Sequence, residues 1–171
     1  RPIYNRWSWG EKLGINYLCI EDPYIRTRTD IGLNWYVDSF NGSSNDLLKF
    51  LDSYLVANKI KAEDVVFYGS SGGGYAAYMF SLLYPGSGSI SINMQSDPKK
   101  YFKSYVERYL RAKGQDVGLP SASDFTYRNG FFPRSLVLQN LKDYFHCSEH
   151  FSRFLIDNSS GKNKKLPGSY I

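Results

Sequence analysis

Residues 46–58 carry Leu47, Leu48, Phe50, Leu51, Tyr54 and Leu55 at helical spacing, which predicts an amphipathic helix. The run Val65-Val66-Phe67-Tyr68, preceded by Glu63-Asp64, predicts a strand. Behind it, residues 75–84 are apolar on nearly every face and stop at Pro85-Gly86, the pattern of a buried helix. Residues 87–94 alternate through Ser89-Ile90-Ser91-Ile92 and predict another strand. Over residues 99–113, Tyr101, Phe102, Tyr105, Val106, Tyr109 and Leu110 form one stripe, with lysines and arginines on the opposite, solvated face. Residues 135–140 read as a strand, and Phe151, Phe154 and Leu155 predict a helix over 148–157.

Toward the N-terminus, Trp7 and Trp9 fall in a loop, and residues 15–20 predict a short strand closed by Glu21-Asp22-Pro23. Residues 29–40 have no clean period, Asn41-Gly42-Ser43-Ser44 signals a turn and cap, and residues 114–134 read as a loop or lid. Four strands alternating with helices imply βαβ units and a mostly parallel sheet with right-handed crossovers.

A chain of 171 residues supports one well-buried core, so a single domain over 1–171 is expected. The net charge of +5 is spread along the chain except at Lys162, Lys164 and Lys165. A basic, aromatic-rich chain raises a nucleic-acid binder, but no recognition motif accompanies the charge, so a solvated surface is the expected reading; the modest basic balance also suits an anionic or polysaccharide-linked substrate. Two cysteines, Cys19 and Cys147, give no disulfide framework. No run approaches a membrane span and no signal peptide precedes the first strand, so a cytoplasmic setting is expected. No Lys-Ser or Lys-Thr follows the glycines, G-x-G-x-x-G spacing is absent, and no cofactor or metal is expected.

The chemistry concentrates in Gly69-Ser70-Ser71-Gly72-Gly73, a G-x-S-x-G between the strand ending at Tyr68 and the apolar helix. A serine pushed out of a sharp turn needs small residues two positions before and after it. Ser71 is the candidate nucleophile. The helix behind it offers free N–H groups and a positive dipole end, which makes the Gly72 amide the candidate oxyanion donor. An inert serine in a tight strand-to-helix connection is the bland alternative.

A serine nucleophile needs a base, and the base needs an orienting carboxylate. Both histidines lie just past the last predicted strand, in Asp143-Tyr144-Phe145-His146-Cys147-Ser148-Glu149-His150. The order Ser71, Asp143, then His146 or His150 matches the Ser, acid, His order of α/β-hydrolases. His146 is preferred because it lies nearer the strand end; His150 follows one helical turn later. Asp97 is the alternative acid and Asp22 a more distant one, although Asp143 and Asp97 also suit plain helix capping. Trp7, Trp9, Trp35 and Tyr75 are candidates for stacking on sugar rings, core packing being their ordinary use.

The segments Asp22-Pro23, Trp35-Tyr36, Phe67 through Ala77, Ile92-Asn-Met-Gln-Ser-Asp97 and Gln139-Asn140 with Asp143, His146 and His150 resemble a bacterial α/β-hydrolase-like family. Its members are found beside glycosyltransferases in surface-glycan systems, and it is similar to the hydrolase-like component of the accessory Sec system. The resemblance spans nearly the whole chain and implies a three-layer α/β-hydrolase-like sandwich. It also implies acyl ester hydrolysis or O-acetyl transfer on glycans, with glycosyltransferase or secretion-system proteins as partners; a catalytically inactive binding module of such a system is the alternative. In that fold the elbow follows strand five, the acid strand seven and the base strand eight. Mapped so, this chain, which begins at Arg1, runs from near the oxyanion loop after strand three to the start of strand eight, truncated at both ends. His146 or His150 then replaces a histidine expected beyond Ile171, and Arg6 and Trp7 are nearest to the second oxyanion donor.

Overall fold

The computed structural model describes residues 8–28, 30–40, 46–114 and 118–159. Arg6, Trp7, the 41–44 turn and the lysines at 162, 164 and 165 lie outside the described residues. Three strands, β1 (Val66–Ser70), β2 (Gly88–Ile92) and β3 (Arg134–Leu138), form one sheet in the order β1-β2-β3, every pair parallel. The helices are α1 (Trp9–Leu13), α2 (Pro23–Thr27), α3 (Val37–Phe40), α4 (Asp46–Ala57), α5 (Gly72–Leu83), α6 (Lys103–Lys113) and α7 (Ala122–Asn129). A last helical segment comprises α8 (Tyr144–His146), a π-helical turn (Cys147–Phe151) and α9 (Ser152–Ser159). The described residues thus make a small α/β fold built on a parallel sheet.

Helix α5 follows the elbow strand β1 and is apolar on nearly every face: residues Tyr75 to Leu82 are all buried. It lies against the sheet on one side, where Phe67 of β1 stacks on Phe80 with ring centroids 5.5 Å apart. On its other sides Tyr78 meets Thr126 of α7 at 2.8 Å and the ring of Phe154 of α9 at 5.3 Å. Such all-round burial is what a helix without a polar face requires. Two apolar clusters result, one around Trp35, Tyr75, Tyr78, Met79 and Tyr109, the other joining Leu47 and Leu51 of α4 to Ala76 and Phe80 of α5.

Several expected elements differ. Residues 15–20 form no strand: Gly14 turns the chain at φ 64°, and the following residues have no ladder partner among the described residues. An apolar run cannot by itself supply the neighbouring strand that a ladder needs. The stretch is held instead by the Tyr36 hydroxyl donating to the Ile20 carbonyl at 2.9 Å. The expected loop at 114–134 contains α7, capped by Ser121, whose hydroxyl accepts from the Asp124 amide, and ended by Gly130 at φ 74°. That Ser-x-x-Asp start and glycine stop are ordinary helix signals. The 99–113 helix starts later, at Lys103, after a 3-10 turn at Pro98–Lys100.

Candidate active site

Ser71 stands between β1 and α5 at φ 57°, ψ −124°, a conformation that side chains with a Cβ rarely adopt. Its neighbours hold it there. The Ser71 amide donates to the Ile92 carbonyl at 2.9 Å, continuing the β1–β2 ladder one residue past Ser70, and the Ser71 carbonyl accepts from the Gly74 and Tyr75 amides, which starts the helix. The turn is sharp enough that a Cβ on Gly69 would stand 2.0 Å from the Gly73 carbonyl oxygen. Gly73 itself has open space around it, so crowding enforces the first glycine of the motif and not the last.

As first residue of a 12-residue helix, Gly72 has no intrahelical acceptor for its N–H, and no backbone partner within the described residues takes it. That leaves a donor beside Ser71 at the positive end of the helix dipole. Leu33 and Trp35 close over this corner: a Cβ on Gly72 would meet Leu33 Cδ1 at 2.9 Å and Trp35 Cδ1 at 3.3 Å. Arg6 and Trp7, expected nearest to the second oxyanion donor, lie outside the described residues. Trp35 and Tyr36 both have positive φ, 52° and 58°. Asp22 clamps this turn, accepting from the Tyr36 amide at 2.7 Å, from Asn34 Nδ2 at 3.1 Å and from the Tyr24 amide at 3.1 Å. Asp22 is therefore committed to backbone support; burial pushes its carboxyl up.

The Ser71 hydroxyl meets Gln95, a residue to which the sequence assigns no site role. Gln95 Nε2 donates to Ser71 Oγ at 2.6 Å, and Gln95 Oε1 accepts from the Trp35 indole at 2.5 Å. Gln95 and Trp35 are both buried. Because the register sets Ser70 opposite Ile92, the residues just after β2 come to lie beside the elbow. The available signal was topological: in parallel sheets functional side chains collect past the carboxyl ends of adjacent strands. No spacing rule links Gln95 to Ser71.

The histidine candidates converge on one another. Asp143 caps α8, its Oδ1 accepting the His146 amide at 3.2 Å, and its Oδ2 lies 2.9 Å from His146 Nδ1, although the ring N–H is not aligned for a hydrogen bond. Burial raises the Asp143 carboxyl, but the His146 amide and imidazole outweigh it and hold it below its usual range. The His146 and His150 rings are 5.4 Å apart, and Tyr101 lies 6.1 and 6.3 Å from them. His150 is fully buried, and desolvation, helped by His146, lowers it to about 4. Among the described residues none of the four ring nitrogens has a hydrogen-bond partner, so neither histidine is bonded to Ser71. Asp97 turns elsewhere, its Oδ1 accepting from the Lys99 amide as a cap.

One short run joins the two groups. Next to Gln95, the Ser96 hydroxyl donates to the His150 carbonyl at 2.8 Å, and the Ser96 carbonyl accepts the Ala122 amide at 2.7 Å. Asn93 adds a second tie, its Oδ1 accepting the Asn140 amide ahead of Asp143 at 2.8 Å. Of the aromatic residues considered for sugar stacking, Trp35 and Tyr75 are buried in the core, while Trp9 is exposed and rests on Tyr68 with ring centroids 5.7 Å apart. Among the described residues no group of His, Cys, Asp and Glu is placed to hold a metal, and no helix is long and apolar enough to cross a membrane. No protein-family model matches the chain, and no significant match links it to a curated protein or a solved structure.

Proposed function

We propose that this chain is a serine acyl hydrolase or O-acyltransferase of α/β-hydrolase type, acting on an acylated glycan or a small ester. The observation that carries this is the backbone of Ser71: a serine at φ 57° between a parallel strand and a buried helix, beside the uncommitted Gly72 N–H. Backbone strain of this kind costs about 1–3 kcal/mol and persists where the surrounding structure enforces it, typically at functional sites. Ser71 Oγ attacks the ester carbonyl carbon, forming the new C–O bond while the carbonyl π electrons move to its oxygen, which the Gly72 N–H stabilises. The hydroxyl proton passes to an imidazole, His146 paired with Asp143 being favoured by their 2.9 Å approach over His150 or an acid role for Asp97. Collapse expels the alcohol, which takes that proton, and water or a sugar hydroxyl then releases the acyl group by the same steps in reverse. Base function requires His146 to reach Ser71 in the reacting complex, where catalytic hydrogen bonds commonly tighten. Partnership with glycosyltransferase or secretion-system proteins is what the family resemblance implies.

A second reading, an inactive hydrolase-like binding module, is favoured by the absence of any histidine bond to Ser71. A fluorophosphonate probe separates the two. Covalent labelling mapped to Ser71, lost in Ser71→Ala and reduced in His146→Ala, is the expected result. A folded protein that resists the probe supports the binding module.

A further inference from the structure

The serine hydroxyl has one proton and two lone pairs, and here one lone pair is already taken. Gln95 Nε2 donates to Ser71 Oγ at 2.6 Å from a fully buried side chain. Which end of the amide faces the serine is not arbitrary. Trp35 Nε1–H can only donate, so the Gln95 atom 2.5 Å from it must be the carbonyl oxygen, and the amino group must face Ser71. Trp35 is itself immobilised: it is buried, edge-on to Tyr109 with ring centroids 5.8 Å apart, and set in the turn that Asp22 clamps. The chain of constraint runs from Asp22 through the 34–36 turn to Trp35, Gln95 and Oγ.

We infer that Gln95 is a catalytic residue of the acyl-transfer reaction, a fixed N–H donor to the nucleophile oxygen itself, and that Trp35 is the positioning residue that holds it. The inference rests on the acyl-transfer reading of Ser71. An amide that donates to Oγ leaves the serine proton to point away from Gln95, toward a base, and leaves the second lone pair for attack. As the proton departs, negative charge grows on Oγ and the Gln95 bond becomes charge-assisted, hence stronger than in the resting enzyme. The bond persists through the tetrahedral intermediate, where Oγ still keeps two lone pairs. It acts again in deacylation, when Oγ leaves the carbonyl carbon with the electron pair of the broken C–O bond and is reprotonated. Gln95 thus acts on the nucleophile and leaving oxygen, whereas the Gly72 N–H acts on the carbonyl oxygen. A buried polar amide at this place costs desolvation unless both ends are paired, which the Trp35 and Ser71 bonds accomplish.

The test compares wild type, Gln95→Met and Trp35→Phe for fluorophosphonate labelling rate at Ser71 across pH, and for kcat and KM on a short-chain nitrophenyl ester. Loss of a hydrogen bond to a charge-bearing oxygen predicts a fall of roughly 10- to 100-fold in labelling rate and kcat for Gln95→Met, with KM held within a factor of about two. The plateau of the pH profile drops while its inflection, set by the base, stays in place. Trp35→Phe keeps the Gln95 side chain but releases its orientation, and an intermediate loss is expected. It also serves where Gln95→Met does not fold, with circular dichroism and thermal melting as the check. A wild type labelled at Ser71 together with a folded variant of either kind labelled at the same rate overturns the role of Gln95 alone. A folded wild type that is not labelled at Ser71 overturns the hydrolase reading and this role with it.

Discussion

The two halves of the candidate site are built in opposite ways. Around Ser71 the polar contacts are closed: the amide, carbonyl and hydroxyl all have partners, and the hydroxyl's partner is itself fixed by an indole. Around the histidines they are open: two rings 5.4 Å apart, one fully buried, make no ring hydrogen bond among the described residues, and only the 2.9 Å approach of Asp143 to His146 Nδ1 offers them a charge. Gln95 and Ser96, adjacent in sequence, bond to one environment each, Gln95 to Ser71 and Ser96 to the His150 carbonyl. The difference shows where each half gets its order. The elbow is set by backbone geometry that a strand, a turn and a helix impose on one residue, while the histidine half depends on how a separate helix docks past β3.

The largest expected effect that sharpens this contrast is Ser71→Ala, which should reduce ester hydrolysis and probe labelling by at least about 10³-fold while leaving the melting temperature nearly unchanged. If activity survives, the closed half is a structural corner only. Next comes Gly69→Ala. A Cβ there meets the Gly73 carbonyl oxygen at 2.0 Å, backbone against backbone, so the turn must open at a cost of about 3 kcal/mol or more, measured by denaturant unfolding.

The open half should reveal itself through pH. In the folded chain His150 takes a proton only near pH 4, whereas an unfolded histidine does so at about 6.5. Between these values the unfolded state binds more protons, so stability is complete above about pH 6.5 and falls as pH drops toward 4. Thermal melts across this window should show the decline, and His150→Gln should flatten it; an unchanged slope would mean that His150 is not desolvated as its burial indicates. The smallest effect expected is a gain: Ser71→Gly relieves the φ 57° strain and should stabilise the fold by about 1 kcal/mol while abolishing labelling. Equal stability of Ser71→Gly and Ser71→Ala would remove strain from the account of the elbow.

The elbow was legible because its determinants are contiguous. An apolar strand, two glycines around a serine and an all-apolar helix lie within 20 residues, and each states a local requirement. The same holds for β1, β2, α4 and α5. Less local features were harder to read. The stretch at 15–20 had a strand's apolar run, but a strand exists only by pairing, and pairing is decided elsewhere. The helix α7 had its cap and stop in the sequence, at Ser121 and Gly130, hidden among residues that also signal loops.

Gln95 and Trp35 lie 60 positions apart and meet at 2.5 Å, and Gln95 reaches Ser71 across 24. Composition and periodicity carry no term for such distances. What this sequence determined by itself is the parallel α/β layout, the buried helix and the serine at the strand-to-helix turn, because short-range sterics and apolar patterning act along the chain. The partner of that serine, the tie between Ser96 and the His150 backbone, and the commitment of Asp22 to the 34–36 turn were decided only by the tertiary structure. Parallel register and helix docking choose which distant polar groups become neighbours, and a buried polar group bonds to whatever neighbour it is given.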